Sequence, residues 1–146
     1  MRTPKIIAIC CCFMLLFMNT QCDDDEIQDS PCDQMVVVDS GFFNSAVSSE
    51  FNFQNAEITN NCLNVTVSSS GCDGSSWSMV LVDSGSVAES LPEQRFLKFV
   101  FTNNETCLAA ITQERSFDLS NIQVEGSNEI ILNIEGFPES ITYQYE

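Results

Sequence analysis

Residues 61–84, NCLNVTVSSSGCDGSSWSMVLVDS, decide the fold. Leu63, Val65 and Val67 alternate with Asn64, Thr66 and Ser68, the period-2 pattern of a strand with one buried face. Trp77 to Val82 is a second apolar run. Between them lie Ser69-Ser70-Gly71-Cys72-Asp73-Gly74. Glycine turns at positive φ, and Ser and Asp side chains bond their own backbone, so these residues favour turns. The stretch predicts a β-hairpin, with Cys62 before its first strand and Cys72 in its turn.

Outward from this pair the chain keeps the same character. Met35 to Val38 reads as a first strand, and 41–49 as an irregular connection carrying Phe42 and Phe43. Phe51, Phe53 and Ile58 belong to an extended segment broken near Asn55-Ala56. Asp83 to Pro92 (DSGSVAESLP) is a ten-residue connection, long enough to cross between sheets or to carry one helical turn. In 94–102 Lys98 is the one polar interruption among Phe96, Leu97, Phe99, Val100 and Phe101, so both faces are apolar and the strand is an inner one. Asn103 to Thr106 is a turn signal, and Cys107 to Thr112 starts the return. Shorter extended pieces come next at 117–119 and 122–124, with strands at 129–135 and 141–145. No segment carries a sustained helical stripe with caps. Seven to nine short strands over roughly 110 residues predict an all-β domain. Its form is a single antiparallel β-sandwich, Ig-like in general architecture, with a small β-barrel as the alternative.

The N-terminus carries a different signal. Met1 to Lys5 is short and cationic, and Ile6 to Met18 holds thirteen uncharged residues. A membrane-crossing helix needs about 20 apolar residues, whereas this length suits a signal-peptide core. Cys22 comes next, then Asp23-Asp24-Asp25-Glu26. A cysteine at the end of such a core, ahead of a polar tail, resembles the lipidation site of bacterial lipoproteins. That resemblance implies that Cys22 is the first mature residue and carries the acyl chains. The places three and one before it hold Asn19 and Gln21 rather than a leucine-like and a small residue. An ordinary cleaved signal peptide, with Cys22 in a disulfide, is the other reading. The expected organisation is a signal peptide (1–21), a lipidated cysteine with an acidic tether (22–31) and a β-domain (32–146).

Charge narrows the partners. The formal net charge is −16, with 21 Asp and Glu against five Lys and Arg. Arg2 and Lys5 leave with the signal, so Arg95, Lys98 and Arg115 are the mature basic residues. A chain this acidic has no stripe for nucleic acid and no attraction to anionic lipid head groups. Its expected membrane contact is through the anchor alone.

Cys10, Cys11 and Cys12 fall in the signal, leaving Cys32, Cys62, Cys72 and Cys107 in the domain. An even number in an exported chain, with no histidine and no Cys-x-x-Cys pair, reads as two disulfides rather than metal ligands. Strand directions select the pairs. If 62–68 runs upward, Cys72 is at the top, beyond the roughly 7 Å within which bridged Cα atoms must lie. Strand 77–83 then runs down and 94–102 up, which brings Cys107 to the top. The expected bonds are Cys72–Cys107 and Cys32–Cys62.

The absence of histidine removes Ser-His-Asp and Cys-His catalysis. No P-loop or dinucleotide glycine pattern occurs. Lys98, on a strand among phenylalanines, reads as a snorkelling surface group. Carboxylates are plentiful, and a glycosidase would need two facing one cleft. Asp73, Asp83, Glu105 and Asp118 lie in or beside loops, without the alternating oxygen ligands of an EF-hand. Asx hydrogen bonds explain Asp73 and Asp83 more simply. Trp77 shares a strand face with Met79 and Leu81, which places it in the core ahead of a sugar-stacking role. Tyr143 and Tyr145 are the better candidates for an exposed aromatic face, though a sandwich core would use them as well.

The stretches 60–85, 103–122 (NNETCLAAITQERSFDLSNI), 129–137 (EIILNIEGF) and 141–145 (ITYQY) together resemble small lipoproteins of the Bacteroidota. The shared features are Cys62-Leu63 leading to Ser70-Gly71-Cys72, a turn ending at Cys107, and Ser116-Phe117-Asp118-Leu119. Where that family has an Asp-x-Cys turn, this chain has Glu105-Thr106-Cys107. The resemblance covers about residues 55–145. It implies an exported, lipid-anchored protein with cysteines in turns, and it brings no reaction and no catalytic residue.

The expectation is therefore a non-catalytic binding or structural module, lipid-anchored on the bacterial outer membrane, surface-exposed with a periplasm-facing placement as the alternative, and with no metal and no cofactor. Its partner is an extracellular protein or glycan. The contact loops are 71–76, 84–93 and 103–106, with Asp73, Trp77, Asp83 and Glu105 as candidate contact residues. A small protease inhibitor presenting one of the same loops is the alternative.

Overall fold

A computed structural model describes residues 30–146. The expected signal peptide, Cys22 and most of the tether lie outside the described residues. In chain order the elements are β1 (Gln34–Met35), β2 (Val37–Val38), helix α1 (Ser40–Ser45), β3 (Asn52–Thr59), β4 (Cys62–Gly71) and β5 (Ser78–Ala88). Next come β6 (Glu93–Thr102), β7 (Ala109–Asp118), a 3-10 turn (Ser120–Ile122), β8 (Glu129–Ile134) and β9 (Ile141–Gln144).

The alternation in 62–68 builds β4 with Leu63, Val65 and Val67 fully buried. Met79 and Leu81 of β5 are buried as well, but β4 and β5 do not pair with each other. The strands form two sheets, β1-β7-β4-β3 and β2-β5-β6-β8-β9, packed face to face. β4 lies between β3 and β7 in one, and β5 between β2 and β6 in the other. The expected hairpin is thus an arch: residues 72–77 carry the chain from one sheet to the other. Residues 103–108, between β6 and β7, form a second arch at the same end. Asp83 to Pro92, expected to be a connection that crosses between sheets or carries a helical turn, instead continues β5 to Ala88 and turns back into its true hairpin partner β6. Its register shifts between Asp83 and Val87, and Gly85 at φ 75° takes up the irregularity. Hairpin and arch both direct the same alternate residues into one core, so periodicity cannot separate them.

The sandwich is not purely antiparallel. β1–β7, β2–β5 and β6–β8 are parallel pairs. The last results from the arches: β7 descends in the opposite sheet, so the chain re-enters beside β6 running upward, in the same direction as β6. At the N-terminus, Val36 is buried (2 % exposed) where the chain passes from β1 in one sheet to β2 in the other. Of the two short pieces expected at 117–119 and 122–124, the first is the end of β7 and the second begins at the close of the 3-10 turn.

Residues 41–49, expected to be irregular, contain α1. Asp39 caps it by accepting a hydrogen bond from Phe42 N (2.8 Å), a typical N-cap arrangement. The helix packs on β5, where Val82 is fully buried. Lys98 reaches Glu135 (3.4 Å) and sits 5.0 Å over the Phe43 ring. The core between the sheets is strongly aromatic. Trp77 meets Phe101 edge-on at 5.0 Å between centroids, and Phe51 joins Phe53 at 4.9 Å and Phe99 at 5.3 Å. Such offset and edge contacts add to the area term.

Disulfide-braced arches as a candidate binding surface

The two arches meet because their flanking strands do. Gly71 pairs with Ala109 at the upper end of the β4–β7 ladder, and Cys62 with Asp118 at the lower end. Disulfides close both ends. Cys72–Cys107 joins the arches (Cα–Cα 4.8 Å), and Cys32–Cys62 ties the entering chain to the foot of β4 (5.6 Å). Ten strand residues at about 3.3 Å each separate the ends by roughly 30 Å.

Glu105 organises the arch end. It reaches from the second arch into the first, and its carboxylate accepts from the backbone N–H of Cys72, of Asp73 (3.3 Å), of Gly74 (3.1 Å) and of Ser76 (3.4 Å). The Ser76 hydroxyl donates too, at 2.9 Å. Loss of water around the carboxylate raises its pKa, but these donors outweigh that and hold it down at about 2. Asn103 sets the approach: its Oδ1 accepts from Glu105 N (2.8 Å), and its amide donates to Ser70 O (2.7 Å). Asp73 makes the expected Asx bond, accepting from Ser75 N at 2.9 Å, and the Ser75 hydroxyl and N–H together lower its pKa. Its side chain is exposed.

Two candidate contact residues are not at the surface. Trp77 is 6 % exposed against Phe101, because alternation with Met79 and Leu81 turns it inward. Asp83 is fully buried near the opposite end, where β5 carries it into the core. Its Oδ1 accepts the Asx bond from Gly85 N (2.6 Å) and forms an ion pair with Arg95 (3.1 Å), while Oδ2 has no partner among the described residues. Burial pushes the Asp83 pKa up, against the pull of Gly85 N–H and Arg95. Arg95 also donates to Ile122 O at 3.1 Å. The loop 84–93 therefore belongs largely to strand, away from the arches. Tyr143, a candidate for either an exposed face or the core, is also fully buried, with its hydroxyl donating to Asn61 (2.8 Å).

What the arch end shows to solvent is Asp73, Ser75, Asn104, Thr106 and Leu108, the last 90 % exposed. Leu108 was hidden in the sequence as the apolar start of a return strand. Beside the arches runs an open groove of about 610 Å³, walled by Glu50, Asn52, Ser69, Asn103 and Leu108. A second groove, about 430 Å³, lies below it over Phe51, Phe53 and Phe99, with Lys98 and Glu135 at one side. Among the described residues no three acidic or cysteine side chains gather as a metal site.

No protein-family model matches the chain, and no curated protein matches it. The fold does recur in solved structures. One is a DUF1344 protein of unknown function from Bacteroides vulgatus ATCC 8482, with a TM-score of 0.53 at 14 % identity, over 77 % of this chain and 56 % of that one. Another is described as a putative toxin-related protein, from Parabacteroides distasonis ATCC 8503. Its TM-score is 0.50 at 13 % identity, over 76 % of this chain and 58 % of that one. The chain thus spans less than three-fifths of either protein, and the likeness is one of fold.

Proposed function

We propose that the protein is a lipid-anchored module of the bacterial outer membrane, surface-exposed, that binds without turnover through its arch end. One observation carries the reading. The two arches are pinned to each other by Cys72–Cys107 and by the Glu105 hydrogen bonds, at the end of the sandwich roughly 30 Å from where the chain enters at Cys32. A tether ahead of Cys32 would present that end outward. Loops already ordered lose little conformational entropy on binding, which favours their use as a contact surface. The partner is an extracellular protein or glycan meeting Asp73, Ser75, Asn104 and Leu108.

Two measurements test it. Intact-mass analysis of the membrane fraction should find a chain beginning at Cys22 with added acyl mass. A photo-crosslinking residue at Ser75 or Asn104 should capture a discrete envelope component that the same probe at Thr112, on the outer face of β7, does not. An unacylated chain removes the anchor, and equal capture from all three positions removes the arch end. Stoichiometric loss of a secreted protease's activity would instead place these loops in an inhibitor.

A further inference from the structure

Five donors from 72–76 point at one small volume: the N–H groups of Cys72, Asp73, Gly74 and Ser76 and the Ser76 hydroxyl. Successive backbone N–H groups turned to one side form a concavity that favours anions. The site is shaped as well as charged. Gly74 holds φ 74°, which turns consecutive N–H groups inward. At Gly71 a Cβ would stand 2.5 Å from Glu105 Oε2 and 3.2 Å from Trp77 Nε1, so only glycine leaves the carboxylate its place. Trp77 Nε1 is buried against this spot and has no acceptor among the described residues, adding an unused donor at the wall.

We propose that the 71–77 arch is an oxyanion-binding site, built to the size of a carboxylate, and that Glu105 is its resident ligand delivered from the neighbouring arch. Occupancy then couples the arches: with the carboxylate in place, 72–76 and 103–107 form one body, and the disulfide is a second, independent tie. The carboxylate, not the disulfide, sets the shape of 72–76. An acidic partner group would meet this site filled. This coupling holds whatever the arch end docks to.

The test uses the full mature chain and amide NMR. In Glu105→Ala with the disulfide intact, exchange at Gly74 and Ser76 should quicken by about tenfold or more, while amides of β4 and β7 keep their protection. Acetate added to that variant should shift the 72–76 amides saturably and restore their protection, and should do neither in the wild type. Reduction of the wild type should leave Gly74 and Ser76 protected. The idea fails if acetate leaves the variant's amides unmoved, if chloride at equal ionic strength shifts them as much, or if reduction alone exposes Gly74. One measurement needs no variant: the wild-type Glu105 carboxyl and the 72–76 amides should titrate together near the value of about 2. Titration of Glu105 in the ordinary glutamate range would overturn the proposal even if Glu105→Ala did not fold.

Discussion

Replacing Asp83 by alanine should be among the most damaging single changes in the domain. Asp83 is fully buried, and Arg95 retains only 9 % of its exposure. The substitution deletes the 3.1 Å ion pair and the acceptor for Gly85 N–H, leaving the guanidinium with Ile122 O as its hydrogen-bond partner on this side. Breaking a buried pair from one side costs about 3–5 kcal/mol, because a charge is left uncompensated. Unfolding entropy for a domain of this size makes 1 kcal/mol worth about 4 °C, so the melting temperature should fall by about 12–20 °C. Asp83→Asn also removes the charge but keeps an Oδ1 acceptor for Gly85 N–H and Arg95, so it should cost less than alanine by about the worth of those hydrogen bonds. Burial raises the Asp83 pKa above 3.8. Folding therefore favours its protonated form, and its contribution is full below that value and lost as pH rises through the folded pKa. The wild type's advantage over Asp83→Asn should shrink accordingly as pH rises. A double change, Asp83→Leu with Arg95→Met, should recover most of the loss, since a well-packed apolar pair can replace a buried ion pair. Urea unfolding and thermal melts followed by circular dichroism measure all of this. An alanine variant within about 1 kcal/mol of wild type, or a double variant as weak as the single, would refute the reasoning.

Gly71→Ala places a Cβ 3.0 Å from Trp77 Cζ2 and 2.5 Å from Glu105 Oε2, and this overpacking should lower the melting temperature by about 4–8 °C in a thermal-shift assay. Replacing Cys72 and Cys107 together by serine reopens a loop spanning 35 residues and should cost about 3–4 kcal/mol in denaturant titrations. In acid, Glu105, Asp118 and Asp33 have folded pKa values held below their ordinary ones, the first two against desolvation, and Asp33 by the Ser116 N–H and hydroxyl. Their stabilisation is complete above the ordinary carboxylate values and is lost as pH falls through the folded ones, so stability should decline between pH 4.5 and about 2; a flat profile there would count against the Glu105 geometry.

The strands were largely legible because each half-buried strand writes its own alternation. What alternation does not record is which strand lies beside it. SSGCDGSS between two apolar runs satisfies a hairpin and an arch equally, and DSGSVAESLP reads as loop because its bulge at Gly85 interrupts the pattern. The cysteine pairing rested on strand direction, which hairpin and arch share. Glu105 was legible as a loop acid but not as a ligand of a neighbouring loop, for that contact spans 33 residues from Cys72 and leaves no local trace. Asp83 signalled its turn through the Asx bond, yet its pairing with Arg95 depended on a register that only the folded sheet supplies.

The two disulfides also define a mechanical route. From Cys32 the covalent path crosses to Cys62, runs along β4, and crosses from Cys72 to Cys107. A pull between a surface-held tether and a partner gripping the arches would travel through that one strand. β4 is already extended, so it has almost no slack to release, and the 33–61 and 73–106 segments are bypassed altogether. The load would be carried as tension in the covalent backbone of β4, so its ladders to β3 and β7 are not asked to slide. Under oxidising conditions the domain would behave as a short inextensible link, and under reducing conditions as an ordinary unravelling one.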